Sequence, residues 1–250
     1  MTFPSHAAAV LPFKFARRRW FDGVALVIGS AAPDFPYSIA PYVQYNAHTW
    51  LGLLVFCVPV TVLLTWLTRR AAPAVVAHLP AWTGDYAALR QHRFPVYVTC
   101  LSAWIGAWSH RMWDLVSHAG VPARGTQDWT FLNAEAFAGQ PWWRVLHYGS
   151  TVAGALLVLA AARHMHRTRW LLTDGPAVPG PANPRLFWTV AAVVWVPGAA
   201  VQPFLAWFTE PQAIIVRLLE VGCLGLLAAA AAVSARGARR SRHADEHYSR

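Results

Sequence analysis

Six of the His and Asp side chains in this sequence lie at spacings that would let them hold divalent metal ions together. The densest group is Ser109-His110-Arg111-Met112-Trp113-Asp114-Leu115-Val116-Ser117-His118. His110, Asp114 and His118 follow i, i+4, i+8 spacing, so on a helix they share one face within about 80°. An i, i+4 pair is the geometry by which two residues of one helix grip one zinc ion. His110 and His118 stand about 12 Å apart along the axis, too far to share an ion comfortably. Either Asp114 bridges two ions, or His118 supports the ligands or faces substrate. Two further groups lie upstream: Pro4-Ser5-His6, and Ala32-Pro33-Asp34-Phe35-Pro36 with His48 following. His6, Asp34, His48, His110 and Asp114 are therefore the candidate metal ligands, for one or two divalent ions, zinc first. His118 and Arg111 are the candidate catalytic groups. Arg111 could grip a substrate phosphate with two parallel hydrogen bonds, or pair with Asp114 three residues on.

The elements that must position these residues are membrane helices. Of the 250 residues 56% are hydrophobic and 13% charged, against about 25% charged in a soluble domain. That deficit excludes disorder, a coiled coil and an ordinary soluble enzyme surface. Fourteen Trp agree with it, because Trp collects at membrane interfaces. The net charge of +10 would suggest nucleic-acid affinity in a soluble protein. Here the positive-inside rule accounts for it, so the expected partners are membrane lipids and not nucleic acid. The oligomeric state is left open. Cys57, Cys100 and Cys223 lie far apart in apolar runs and read as small buried hydrophobes, not as a disulfide or thiol–metal framework.

A spanning helix needs about 20 mostly apolar residues. Thr49–Thr68, Phe187–Thr209, Tyr148–Ala162 and Gln212–Ala235 read as spans, the last with Arg217 and Glu220 placed to pair. Val96–Ser117 and Val24–Ala40 are apolar but carry His, Arg and Asp. Phe3–Phe15 is too short to cross, and reads as a half-span or re-entrant element. The expected fold class is all-α, a polytopic integral membrane helical bundle of about six spans plus a short N-terminal half-span. It forms a single helical membrane domain over 1–235, with a basic tail over 236–250 that is disordered or lies on headgroups.

The arginines orient it. Ala16–Gly23, Arg69–Pro95, Arg163–Leu186 and Arg236–Arg250 hold 3, 4, 4 and 5 Arg, whereas the other connections hold Arg124 and Arg144. Sixteen against two predicts that the first four face the cytoplasm, with the C-terminus inside a multi-pass cell-membrane protein. By helix rise, His6, Asp34, His48, His110, Asp114 and His118 then gather in the outer half of the membrane. Ionisable groups in membrane segments are costly and mark sites or pathways. Singly, each has a plainer reading: a packing histidine, an Arg111–Asp114 pair, or Asp34 capping a helix broken by Pro33 and Pro36. Convergence of four His and two Asp at one depth favours a site.

PSHAAAVLP, IGSAAPDFPY, AHTWLGLL and SHRMWDLVSHAG together resemble the bacterial membrane family catalogued as domain of unknown function 4184, over most of the chain. The order His, Asp, His, His-x3-Asp is also similar to that of membrane-bound metal-dependent hydrolases and, more remotely, zinc-dependent phospholipase C and single-strand nucleases. That likeness implies that Asp34, His48, His110 and Asp114 hold one metal, with His6 and a bridging Asp114 contributing to a second. The soluble enzymes bind a third ion through His-x3-Glu. Here His147 is followed four residues on by Thr151, a departure that weakens the parallel to phosphodiester chemistry. The expected function is a membrane-embedded metal-dependent hydrolase of a lipid or envelope ester, with phosphoesters implied by the resemblance and the site facing outward. The alternative is a non-catalytic membrane protein, or a small proton-coupled transporter, using the same cluster structurally or as a relay.

Overall fold

Proline, glycine and buried polar side chains decide where these helices start, break and touch. The computed structural model describes residues 3–40, 42–118 and 130–248, apart from the side chains of residues 130, 174 and 240–248. The elements are α1 (Phe3–Ala16), α2 (Gly23–Gly29), α3 (Trp50–Val76), α4 (Val96–Ser117), α5 (Trp142–Arg167), α6 (Pro184–Ala200) and α7 (Pro211–Tyr248). The strands among the described residues are β1 (Glu135–Phe137) and β2 (Gln140–Pro141), a small antiparallel hairpin. Its turn, Ala138-Gly139, takes positive φ at both residues, as tight hairpins require.

Four helices among the described residues are long and apolar enough to cross a membrane: Trp50–Val76, Trp142–Arg167, Pro184–Phe204 and Pro211–Arg239. Their surfaces fit that role. Gly154 is the buried residue of α5, while Val152, Leu156, Leu157 and Leu159 stand exposed. A patch of that kind is stable only against lipid or another protein. The other two segments expected to span differ. α4 has 22 residues, about 33 Å of helix, but its polar site residues lower its apolarity. Val24–Ala40 is not one helix: α2 ends at Gly29, and a 3-10 helix covers Ala32–Ser38. Pro33 and Pro36 lack the N–H that would continue an α ladder. At the other end, α7 continues through residues 236–248 instead of ending in a disordered tail. Arg and Ala, six of the 13 residues over 236–248, are strong helix formers. Cys57 is buried as expected and Cys100 half-buried, but Cys223 is exposed on α7. A thiol is apolar enough to face lipid.

The chain divides into two compact units, Met1–Thr65 with Phe94–Arg163, and Trp66–Arg93 with His164–Arg250. In the first, α2 and α4 cross backbone to backbone. A Cβ on Gly29 would lie 2.4 Å from the Ala103 carbonyl oxygen, and one on Gly106 2.4 Å from that of Leu26. α1 and α5 meet as closely, since a Cβ on Gly154 would lie 2.5 Å from the Ser5 Cα. Asp22 fastens the start of α2. Its Oδ1 accepts from the Val24 and Ala25 amides, Oδ2 accepts from Thr99 at 2.9 Å, and its own N–H donates to Ser102 Oγ. Caps of this kind contribute about 1 kcal/mol. Lys14, the single lysine, ends α1 by donating to the Arg18 and Phe21 carbonyls at 2.6 and 2.7 Å, its Nζ 4.6 Å from the Phe94 ring centre.

In the second unit Phe187, Ala191, Ala229, Ala230, Val233 and Ala74 form the core. His78 stacks on Phe187 at 4.1 Å, donates through Nδ1 to the Ala74 carbonyl and accepts the Asn183 N–H at Nε2. Arg169 donates to Asp85 at 2.6 Å, and His92 Nε2 donates to the Leu171 carbonyl. These histidines lock loops to helices.

Candidate metal centre

Each functional side chain reaches the first unit's interior by a local device. His6 lies on the buried stripe of α1 with Ser5, Ala7, Val10 and Lys14. Asp34 sits in the first turn of the 3-10 helix, where the two prolines hold the chain out of α geometry. The N–H of His48 donates to Asn46 Oδ1 at 3.0 Å, and Thr49 then caps α3 by accepting from the Gly52 amide. α3 opens with a π turn over Leu53–Cys57, a distortion that recurs at functional sites. It packs Leu53 and Cys57 with Ala32, Ala47 and Ala107, the first two alanines being near neighbours in the chain of Asp34 and His48. His110 and Asp114 lie one turn apart on α4, and His118 is the residue that ends it.

The structure brings together all five candidate ligands from the sequence, and all five are buried. His48 Nε2 lies 3.5 Å from Asp34 Oδ1 and 3.6 Å from Asp114 Oδ2. His110 Nε2 lies 3.5 and 3.3 Å from the same two oxygens, and 3.3 Å from His48 Nε2. The donors thus form two triangles sharing the His48–His110 edge. Zinc bonds of about 2.0–2.2 Å separate tetrahedral ligand atoms by about 3.3–3.6 Å. Each triangle has the dimensions of one face of such a tetrahedron.

The proton inventory of His110 tests that fit. Its Nδ1 lies 2.8 Å from the Ser30 carbonyl oxygen. A carbonyl only accepts, so Nδ1 carries the proton, and a neutral ring then presents a bare lone pair at Nε2. That lone pair faces Asp34 and Asp114 oxygens, which also only accept when ionised. The arrangement is repulsive unless a second proton or a cation lies between them. Nδ1 donating to a backbone carbonyl, with Nε2 turned to the metal, is also how ligating histidines are held. The donor set fits a divalent ion.

Asp114 divides its oxygens. Oδ2 faces His48 and His110, whereas Oδ1 lies 3.5 Å from His6 Nε2 and 3.2 Å from His118 Nδ1. Oδ1 is buried and accepts no hydrogen bond among the described residues. His6, His110 and Asp114 form a second group that could hold an ion, beside Asp34, His48 and His110. The His6 and His110 rings stack at 3.8 Å. His118 keeps 12% of its side chain exposed, the most open of the ring, and its Nδ1 also meets Ser117 Oγ at 3.0 Å.

Arg111 turns elsewhere. Its Nη1 donates to the His48 carbonyl oxygen, and its Cζ lies 5.1 Å from the Trp50 ring centre. No Arg111–Asp114 ion pair forms among the described residues. Sequence reasoning did not assign Ser30, whose contribution is a backbone carbonyl, or Tyr37, whose ring lies 5.9 Å from that of His48. It also set aside His147, which packs edge-on against His118 at 4.6 Å. His147 Nδ1 also lies 3.3 Å from the Ser117 carbonyl oxygen, an approach of α5 to α4 that no local spacing announces. Arg124 lies outside the described residues.

A family described as a domain of unknown function (DUF4184) matches residues 1–235, and the chain belongs to it. No curated protein and no solved structure matches the chain.

Proposed function

Since family membership assigns no activity, the reading rests on the donors themselves, and we propose a membrane-embedded hydrolase dependent on one or two divalent ions, zinc first. The observation that carries it is the pair of 3.3–3.6 Å donor triangles around a His110 whose proton sits on the far nitrogen. Asp34, His48, His110 and Asp114 Oδ2 would hold one ion, and His6 with Asp114 Oδ1 would contribute to a second. An ion held there would lower the pKa of a bound water and polarise an ester oxygen. The protein's own groups divide the remaining work. Ser30 fixes the His110 tautomer. Arg111 fixes His48 from behind, as a positioning residue and not as a phosphate clamp. His118, with Nδ1 3.2 Å from Asp114 Oδ1 and more exposed than the five proposed ligands, would hold or release a proton at the substrate side.

The arginine distribution orients the site toward the extracytoplasmic side with the C-terminus inside. The proposed substrate is a lipid or envelope ester, a phosphoester by the family resemblance. Metal content of detergent-purified protein, measured by mass spectrometry beside His48→Ala, tests the reading. We expect about one or two zinc per chain in the native protein and a clear reduction in the variant. Native protein that neither carries zinc nor is stabilised by added zinc would overturn it in favour of a proton relay. Zinc retained without turnover of phosphoester and lipid esters would overturn the hydrolase assignment alone.

A further inference from the structure

In the second unit a cavity of about 470 Å³ is lined by Arg70, Pro73, Arg90, Gln91, Pro181 and Ser234, among others. No carboxylate is among its lining residues, and two guanidinium groups are. Among the described residues neither Arg70 nor Arg90 forms an ion pair with a carboxylate. Arg90 Nη1 donates to the Arg70 carbonyl oxygen at 3.2 Å, which uses one of the five N–H donors of that side chain. Arg70 lies over the Trp66 ring, its Cζ 4.9 Å from the centre. The opposite wall is backbone: a Cβ on Gly180 would lie 2.3 Å from the Pro73 carbonyl, so the loop rests directly on α3.

We propose that this cavity binds the phosphate of an anionic phospholipid headgroup. Two unpaired guanidinium groups supply the charge, and guanidinium grips phosphate with paired hydrogen bonds. Depth supplies the lipid. Trp66 is half exposed one turn before Arg70, and Leu63 is exposed one turn before that. The order apolar, Trp, Arg along α3 is the order of acyl chain, interface and headgroup. Pro73, Val178 and Pro181 line the cavity beside the arginines, and they suit a glycerol ester better than a fully hydrated anion. Basic pockets between membrane helices recognise anionic headgroups on these grounds. The inference is independent of the metal centre, which lies wholly within the first unit.

The test is retention of phosphatidylglycerol against phosphatidylcholine by the full chain, followed by native mass spectrometry, with thermal shift against inorganic phosphate as a separate arm. We expect selective phosphatidylglycerol binding, weakened about fivefold by either Arg70→Gln or Arg90→Gln and about 25-fold by both. Ser234→Trp, which fills the cavity and alters no charge, should weaken it comparably. Zinc content should not change in any of the three. Equal binding of the two lipids, undiminished binding by the double variant, or stabilisation by inorganic phosphate equal to that by the lipid would overturn the proposal.

Discussion

Replacing Asp114 by Asn separates a metal centre from a hydrogen-bonded cluster. The amide keeps the carboxylate's shape, so the packing of α4 persists, but it removes the negative charge and exchanges for an NH2, which cannot bind a cation, one of the two oxygens that face His48 with His110 and His6 with His118. Structural zinc sites hold their ion by about 10–16 kcal/mol. One donor of four is then worth about 3 kcal/mol, or roughly two decades in affinity. At free zinc 100 times the native dissociation constant, binding stabilises the native protein by about 2.7 kcal/mol. For a chain of this length that is about 5–10 °C in unfolding temperature. The same zinc concentration would only equal the variant's dissociation constant, and would stabilise it by about 0.4 kcal/mol. The assay is thermal unfolding in detergent with zinc and with chelator. Chelation should lower the native midpoint by about 5–10 °C and that of Asp114→Asn by about 1–2 °C. An unmoved native midpoint, or equal responses from both proteins, would refute the reasoning.

Other consequences follow from the same contacts. Gly106→Ala puts a methyl 2.4 Å from the Leu26 carbonyl. It should part α2 from α4, move the Ser30 carbonyl off His110, cost about 1–3 kcal/mol by urea unfolding, and lower zinc content. Normal stability and zinc would mean that this crossing does not set the site. Arg111→Lys keeps the charge but loses the fork that reaches the His48 carbonyl and stacks on Trp50. Zinc titration should show affinity about tenfold weaker, and unchanged affinity would remove Arg111 from the support of His48. A cysteine at Thr2 should react with an impermeant maleimide added from the outer side of cells. Labelling from the cytoplasmic side alone would place α1 on the wrong face for the proposed orientation.

Much of the fold was legible because its cause is local. A chain that is 56% hydrophobic and 13% charged has too little polar surface to face water on all sides. In lipid only helices or closed barrels satisfy their own backbone, so the long apolar runs had to be helical. The shared face of His110, Asp114 and His118 follows from a period of 3.6 residues, which no tertiary contact has to supply. The break after α2 was visible as Pro33 and Pro36, but its consequence was not. Read as one span, Val24–Ala40 would set Asp34 along a helix. As α2 followed by a 3-10 turn, it presents Asp34 Oδ1 to both His48 and His110.

Sequence therefore determined which His and Asp side chains could converge and that membrane helices carry them. Tertiary structure decided which atoms face one another. Ser30 acts through a carbonyl that every residue has, so no side chain announces that it holds the proton on His110 Nδ1. Arg111 had two partners in reach by spacing, substrate phosphate and Asp114. The position of His48 just before α3, and of Trp50 in its first turn, gave it a third. Asp114 could have served one ion or two. The approach of α1, which brings His6 to one oxygen while His48 takes the other, is what divides it. Each of these depends on distances between segments remote in the chain, and helical periodicity carries no information about those.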